Sequence, residues 1–380
     1  MTTSSLNDRL DQLLHKGVQI VDPRQTFVDD NVRLDRIFPG SMLFPGTRLI
    51  GNNTLVAPGA KIGSEGPATV IDTAIGQDAE IASGYVAGSV LLSRARVGSN
   101  GHIRAGTLLE EEASTAHAVG LKQTVLLSYV TLGSLINCCD CLISGGRSRS
   151  NHTEIGSGFI HFNFTPWGES GDKATPSLFG GVPRGVFLRE ERIFIGGASG
   201  MVGPNHVGFG SFTAAGQVIR KEVPANRVHS EVQRKVDSPW DFHQRKFSGR
   251  RVEKNLEYIG HLVALRVWYQ MVRKRRLAGG ETSSHLSMTL DAAIELLGGN
   301  IAERWTRLGQ FLGSDLPPLN IPKINCPLLA DQESLSHLQW LKNLSGEEVR
   351  LGCQWLQEVV DAVVISNRID APPRISTERT

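Results

Sequence analysis

Aromatic side chains are scarce in this sequence, at 6 % of 380 residues, and there is almost no excess of either charge. Lys and Arg number 40 against 38 for Asp and Glu, so net charge gives no reason to expect nucleic acid or an anionic membrane surface as partner. No stretch approaches the run of about 20 apolar residues that a membrane-spanning helix needs. The cysteines, Cys138, Cys139, Cys141, Cys326 and Cys353, are odd in number and lack the spacing of a disulfide framework. A reducing cytoplasm is therefore the expected compartment. Met1 to Lys16 has no basic segment followed by an apolar one; Leu6, Leu10, Leu13 and Leu14 instead share one helical face, with Ser5 as the expected cap.

Glycine is abundant, at 41 residues, and it falls in a pattern. Phe38, Phe44, Ile50, Val56 and Ile62 recur every sixth residue, each followed by a small or turn-forming residue. Shorter runs follow at Ile75, Ile81 and Ala87 and at Val97, Ile103 and Leu109; the cleanest is Ile195, Met201, Val207, Thr213 and Ile219. A period of six fits neither a helix nor a simple strand alternation. It fits a short flat strand plus a corner, three of which close a triangular coil, with one inward aliphatic residue per hexad stacking on its counterpart a coil away. The fold predicted is mainly β, a left-handed parallel β-helix with a C-terminal α-helical domain. Residues 1–29 are read as an N-terminal helix and lead-in, 30–224 as the β-helix, 225–370 as the helical domain and 371–380 as a flexible tail.

The beat breaks near Ser64 to Asp72 and again over a long loop at 164–192, where Trp167, Phe179 and Phe187 lie among prolines and glycines. Such a loop leaving a regular solenoid predicts a lid, or a clamp onto a neighbouring subunit. After Pro224 the apolar residues take helical spacing, tracing Val252, Leu256, Ile259, Val263, Val267 and Met271 and ending in Arg273 to Arg276, a basic end expected to face solvent and complement the helix dipole. Further helices are expected over Leu286 to Leu297, Ile301 to Leu312, Glu333 to Leu344 and Gly346 to Val364, with Gly279-Gly280 and Pro317-Pro318 between them.

His161 and Asn163 are two apart and so project to the same side of one strand, which makes His161 the first candidate for a general base. Lys173 and Arg184, from the loop that follows, would supply positive charge to an anionic substrate; the alternative is a surface histidine beside a solvated loop. His152 and His102 are weaker candidates, and His206 is read as structural. Three thiols in Cys138 to Cys141 alternate between faces and do not converge on one tetrahedral ion, so no metal is predicted.

Three segments also carry a resemblance: Ile155 to Phe164 (IGSGFIHFNF), Ile195 to Pro204 (IGGASGMVGP) and Thr213 to Gly216 (TAAG). They resemble the acetyltransferase half of bifunctional uridyltransferases, which acetylate glucosamine 1-phosphate and then form UDP-N-acetylglucosamine. The resemblance spans about Gly101 to Val223. It implies a homotrimer with acetyl-CoA, or another acyl-CoA, in grooves between subunits. It also implies sugar-phosphate binding by Arg104, acceptor binding by Asn163, and CoA contact along Gly197, Ala214 and Ala215. The departures are specific. Asp140 stands where that family has its catalytic histidine, Ser128 and Tyr129 where it has phosphate-binding lysines, and Glu154 where it has a second asparagine. Asp140 is thus a second candidate base. The glycine-rich nucleotidyltransferase signature has no counterpart; Gly181 to Gly185 (GVPRG) is too short to replace it. The function expected is a CoA-dependent acyltransferase acting on a phosphorylated or nucleotide-linked (amino) sugar. The alternatives are a sugar-nucleotide enzyme of non-CoA chemistry and a non-catalytic trimeric scaffold.

Overall fold

The computed structural model describes residues 3–166, 171–232, 235, 237, 239, 249–277, 284–328 and 335–369, with side chains from residue 8. Helix α1 (Thr3–His15) leads into three parallel sheets of 11, 10 and 8 strands, whose strands follow one another in rotation to form a β-solenoid. Ser5 lies inside α1 rather than capping it. The first sheet begins at Gln19–Ile20 and ends at Val228–His229, so the ladder extends beyond 30–224 at both ends.

Inside the prism each sheet supplies one column of side chains. Leu43, Ile62, Ile81 and Val97 stack in the first, Val86, Ile103, Leu121 and Cys138 in the second, and Leu91, Leu109, Leu126 and Ile143 in the third, all fully buried. The hexad frame of Ile195, Met201, Val207, Thr213 and Ile219 matches this core, as do Val56 and Ile62 of the first run, but the first three members of that run are off by one. Ile37, Leu43 and Leu49 face inward instead of Phe38, Phe44 and Ile50, and Val86 instead of Ala87. The corner between Leu49 and Val56 holds one residue more than a hexad allows, and a one-residue slip reverses every side chain on a strand.

The third sheet differs from its companions on its outer face. Leu55, Ala74, Val90, Leu108, Val125, Leu142 and Leu178 point outward and are buried beneath the C-terminal helices. Those helices are α3 (Gly249–Trp268), continued by a π-helical turn (Tyr269–Arg273) and α4 (Lys274–Leu277), then α5 (Ser284–Leu312), α6 (His337–Asn343) and α7 (Gly346–Ser366); a short α2 (Val182–Gly185) lies within the solenoid region. The two helices expected over 286–312 are one, because Gly298 and Gly299 are tolerated inside α5. No described helix is long and apolar enough to cross a membrane.

Two expectations are corrected here. The basic end that follows α3 is in solvent only in part, at Arg275 and the half-buried Lys274. Arg273 and Arg276 are buried, Arg273 against Glu110 and Glu111 of the solenoid and Arg276 4.4 Å over the Trp340 ring. The 164–192 loop is not a lid along its length either. Ser177–Phe179 is a rung of the third sheet, Phe179 fills the coil interior, and Phe187 packs edge-on to Trp268 at 5.2 Å. Trp167, Gly279-Gly280, Glu333 and the tail from Ala371 lie outside the described residues.

This docking leaves little slack. A Cβ at Gly352 of α7 would lie 2.3 Å from Phe187 Cζ and 3.2 Å from Leu328 Cδ1. Helix propensity alone would make Gly352→Ala stabilising by about 1 kcal/mol, but the buried ring has nowhere to retreat. A net loss of roughly 1–2 kcal/mol is expected in urea unfolding; a gain would show that the helices pack more loosely than described.

Candidate functional site

The corner between the second and third sheets gathers charged and polar side chains around a cavity. Here Arg104 and Lys122 leave the second sheet one rung apart, with Cys139 on the next rung, because the register pairs Ile103 with Leu121 and Lys122 with Cys139. Lys173 enters from the following loop, and Glu303, Arg304 and Arg307 descend from α5. Together with Gln123, Asn137, Asp140 and Asn163 they surround a cavity of about 490 Å³.

Of the residues singled out in the sequence, Arg104, Asp140, His161, Asn163 and Lys173 all meet at this cavity. Asp140 occupies the corner itself, at φ 61°, and is only 5 % exposed. Arg304 Nη2 donates to its Oδ1 side at 3.1 Å and Asn163 Nδ2 to Oδ2 at 3.2 Å. Thr175 Oγ1 donates to the Asn163 carbonyl at 2.7 Å, which fixes the strand end. Lys173 Nζ lies 5.9 Å from the Phe164 ring centre.

His161 takes an unexpected position. Its strand, Ile160–Phe162, turns the histidine inward and the two hydrophobic neighbours outward. The ring therefore occupies the aliphatic slot of the second column, with Met201 as its neighbour on the next rung. Nδ1 is 2.6 Å from the Cys139 carbonyl and can only donate to it; Nε2, 2.8 Å from Ser177 Oγ, then accepts the hydroxyl proton. Burial pushes the His161 pKa down to about 4, partly offset by the Asp140 charge. In this geometry the ring has no free lone pair for a substrate, because it has been recruited into the core, while the Asn163 amide is directed to Asp140.

Arg184 is elsewhere. It forms a two-point ion pair with Glu190 (2.6 and 2.8 Å), lies over Phe209, and lines a second cavity with His206, Glu222, Glu257 and His261. His102 stacks on Tyr85 at 5.1 Å, and His152 Nδ1 is 2.8 Å from the Arg149 carbonyl. Ser128 bonds the buried Glu110, and Tyr129 is buried. Cys138 and Cys141 face the core while Cys139 faces out, and burial raises the Cys139 thiol above its usual range.

Gly197, Ala214 and Ala215 form a different edge of the prism, between the first and second sheets, where successive corners stack so closely that a Cβ on Gly196 would meet Ala215 N at 2.4 Å. Gly197 and Ala214 are half-buried and Ala215 is exposed at this edge, and the width of the second sheet separates it from the cavity.

Lys122, Arg304 and Arg307 were not singled out from the sequence. Lys122 had a local signal, because its place directly after the inward-facing Leu121, one coil beyond Arg104 after Ile103, dictates the stacking. The α5 arginines had none, since their placement depends on how the helix docks.

No family model matches the sequence. Among curated proteins, similarity is found to several named "Bifunctional protein GlmU". One from Pseudarthrobacter chlorophenolicus is 31 % identical over 226 residues, 59 % of this chain and 40 % of the relative. One from Clavibacter sepedonicus is 29 % identical over 208 residues (55 % and 37 %), and one from Desulfitobacterium hafniense 29 % over 218 residues (57 % and 42 %). The chain thus spans about two fifths of the length of these relatives. The similarity and the parallel solenoid fit the hexapeptide-repeat acyltransferase region of those proteins.

Proposed function

We propose that this protein binds a phosphorylated or nucleotide-linked sugar in the cavity beside Asp140 and transfers an acyl group to it from a CoA thioester. The observation that carries the reading is the convergence of Arg104, Lys122 and Lys173 with Asn163 at one coil corner, within a solenoid similar to proteins named GlmU. Guanidinium and ammonium groups around an asparagine suit a phosphate next to a sugar hydroxyl or amide.

The small, open corner at Gly197, Ala214 and Ala215 suits a pantetheine chain, and an acyl-CoA bound there would supply the activated carbonyl carbon. One copy cannot bring that edge to its own cavity, so the reading requires a homotrimer or other assembly in which a neighbour supplies it. Ile160 and Phe162, 45 % and 42 % exposed beside the cavity, are apolar surface that such a neighbour would cover.

A second reading keeps the sugar-nucleotide ligand and omits CoA. It is favoured by the engagement of both candidate bases, His161 within the core and Asp140 with Arg304.

Titration of the purified protein with acetyl-CoA, CoA and UDP-N-acetylglucosamine, followed by thermal unfolding, separates the two. A ligand at 100 times its Kd stabilises the fold by about 2.7 kcal/mol. Arg104→Ala should weaken sugar-nucleotide binding about 10-fold or more, as expected for loss of a charge-assisted hydrogen bond, while Arg184→Ala should leave it unchanged. Sugar-nucleotide binding without CoA binding selects the second reading. If none of the three binds at millimolar concentration, both fail.

A further inference from the structure

Arg304 is 3 % exposed, yet its Nε has no hydrogen-bond partner. A buried guanidinium ordinarily satisfies its N–H groups, since an unpaired buried donor carries a desolvation penalty. Across the same cavity Arg104 Nε is also unpartnered, and the Lys122 ammonium makes no side-chain bond among the described residues. Arg104 and Lys122 lie on adjacent rungs whose backbones are roughly 4.8 Å apart, so two like charges line the cavity together, with Arg104 Nη2 reaching only the Cys139 thiol, at 3.6 Å. Arg104, Lys122, Lys173, Arg304 and Arg307 against Asp140 and Glu303 leave the lining at five minus two, or three positive charges. Unpartnered Nε donors on Arg104 and Arg304 and an excess of cations over carboxylates, around one polar cavity, describe the complement of a dianionic oxyacid.

We infer that helix α5 supplies a phosphate clamp to this cavity: Arg304 and Arg307 grip the phosphate of the ligand from the side opposite Arg104 and Lys122, and Arg304 gives up Asp140 to do so. The inference rests on the reading that the cavity binds a phosphorylated sugar, and it names the part of the chain that recognises the phosphate. Neither arginine lies in Gly101 to Val223, the stretch that carries the resemblance.

The partner exchange follows from geometry. In the free protein Arg304 Nη2 holds Asp140 Oδ1 at 3.1 Å and lies 3.7 Å from Glu303 Oε1, and its Nη1 donates to the Lys173 carbonyl at 3.5 Å. Among the described residues Arg307 is held by Glu303 at 2.8 Å and Gln310 at 2.9 Å on the same helix. A phosphate entering between α5 and the solenoid competes with the carboxylate for Arg304. Once it wins, Asp140 keeps only the Asn163 amide at 3.2 Å. Its freed oxygen then faces the cavity and can accept a proton from an acceptor hydroxyl or amine. Phosphate binding and readiness of the carboxylate are thus one event.

Calorimetry on the full chain tests this with inorganic phosphate, pyrophosphate, UDP-N-acetylglucosamine and uncharged N-acetylglucosamine as probes. Pyrophosphate and the sugar nucleotide should bind, and the uncharged sugar should not. Arg307→Gln, which leaves the Asp140–Arg304 pair intact, should weaken both about 10-fold. Arg304→Gln strands Asp140 and can destabilise the fold, so it is paired with Asp140→Asn; that double variant should bind at least 10-fold more weakly. Asp140→Asn alone should bind pyrophosphate several-fold more tightly, because Arg304 is already free, and the gain should vanish when Arg304 is Gln. If Arg104→Ala weakens binding but Arg307→Gln and the double variant do not, the α5 clamp is wrong while the cavity reading survives. If Asp140→Asn fails to tighten binding, the exchange is wrong. If no probe binds the unaltered protein at millimolar concentration, the cavity reading fails with it.

Discussion

Replacing Arg273 by Met is expected to destabilise the protein by roughly 3–5 kcal/mol, because it leaves two carboxylates buried without a cation. Arg273, at the end of the π-helical turn, contacts Glu111 through both terminal nitrogens. It also reaches Glu110 Oε1 at 3.8 Å and donates to Tyr269 Oη at 3.1 Å, while its guanidinium lies 4.6 Å from the Tyr269 ring centre. Tyr269 Oη donates to Glu110 at 2.8 Å, and Ser128 donates to it from its backbone and hydroxyl. The network is one of several polar fastenings between helices and solenoid, beside the Arg304–Asp140 pair and the Asn300 and Asn255 amides that donate to the Gly106 and Ala174 carbonyls. Urea unfolding followed through the buried Trp268 and Trp340 measures it, and a loss below about 1 kcal/mol would mean that the carboxylates find water or protons instead.

The same cluster sets a pH dependence. Burial pushes Glu110 up to about 7, against the attraction of Arg273. Between the ordinary carboxyl range near 4.5 and that value, the folded chain holds a proton that the unfolded chain has released, so stability falls as pH rises through this window. Glu110→Gln should flatten that fall, by roughly 2–3 kcal/mol across the window. An unaltered pH profile would show that Arg273 keeps Glu110 ionised throughout.

His261 works in the opposite sense. It is buried in α3, its pKa is driven down to about 3 chiefly by burial, and its Nδ1 accepts from Val182 N at 3.1 Å. Gly181 lets the ring approach, since a Cβ there would meet His261 Cε1 at 2.8 Å. From pH 6.5 down to about 3 the unfolded chain takes up a proton that the folded chain cannot, so acid favours unfolding by up to roughly 1.4 kcal/mol per pH unit. Protonation also removes the acceptor for Val182. His261→Asn keeps an acceptor oxygen near the Nδ1 position and does not titrate. Its stability should therefore decline less between pH 6.5 and 4 than that of the unaltered chain. Equal slopes would mean that the ring is already protonated in the folded state. His161, lowered to about 4, adds to the same acid sensitivity. Because Glu110 and the histidines pull oppositely over overlapping windows, only the difference between variant and parent isolates each.

The solenoid was legible in the sequence because a repeat that stacks on itself writes its geometry locally: each hexad meets the same neighbours one coil away, so spacing alone dictates the inward columns. The error at Phe38, Phe44 and Ile50 arose where one extra corner residue shifts the frame without breaking the apolar pattern. The third sheet also left a mark that the hexad count passed over. Its strands carry adjacent apolar pairs, Leu55-Val56, Val90-Leu91, Leu108-Leu109 and Leu142-Ile143, as a strand buried on both faces must.

The resemblance pointed to Arg104, Asp140 and Asn163, and the loop that follows to Lys173; the structure gathers all four at one corner. Three things were settled only by the tertiary structure. His161 falls on the inward slot because the register there is set by Cys138 and Met201 above and below it. Arg184 swings to Glu190 and the second cavity. Arg273, Arg304 and Arg307 look like solvated helix charges until α3 and α5 lie down on the solenoid, which buries two of them against carboxylates more than a hundred residues away in the chain. Charge on a helix has no period that tells solvent from partner, so what it meets is decided by docking.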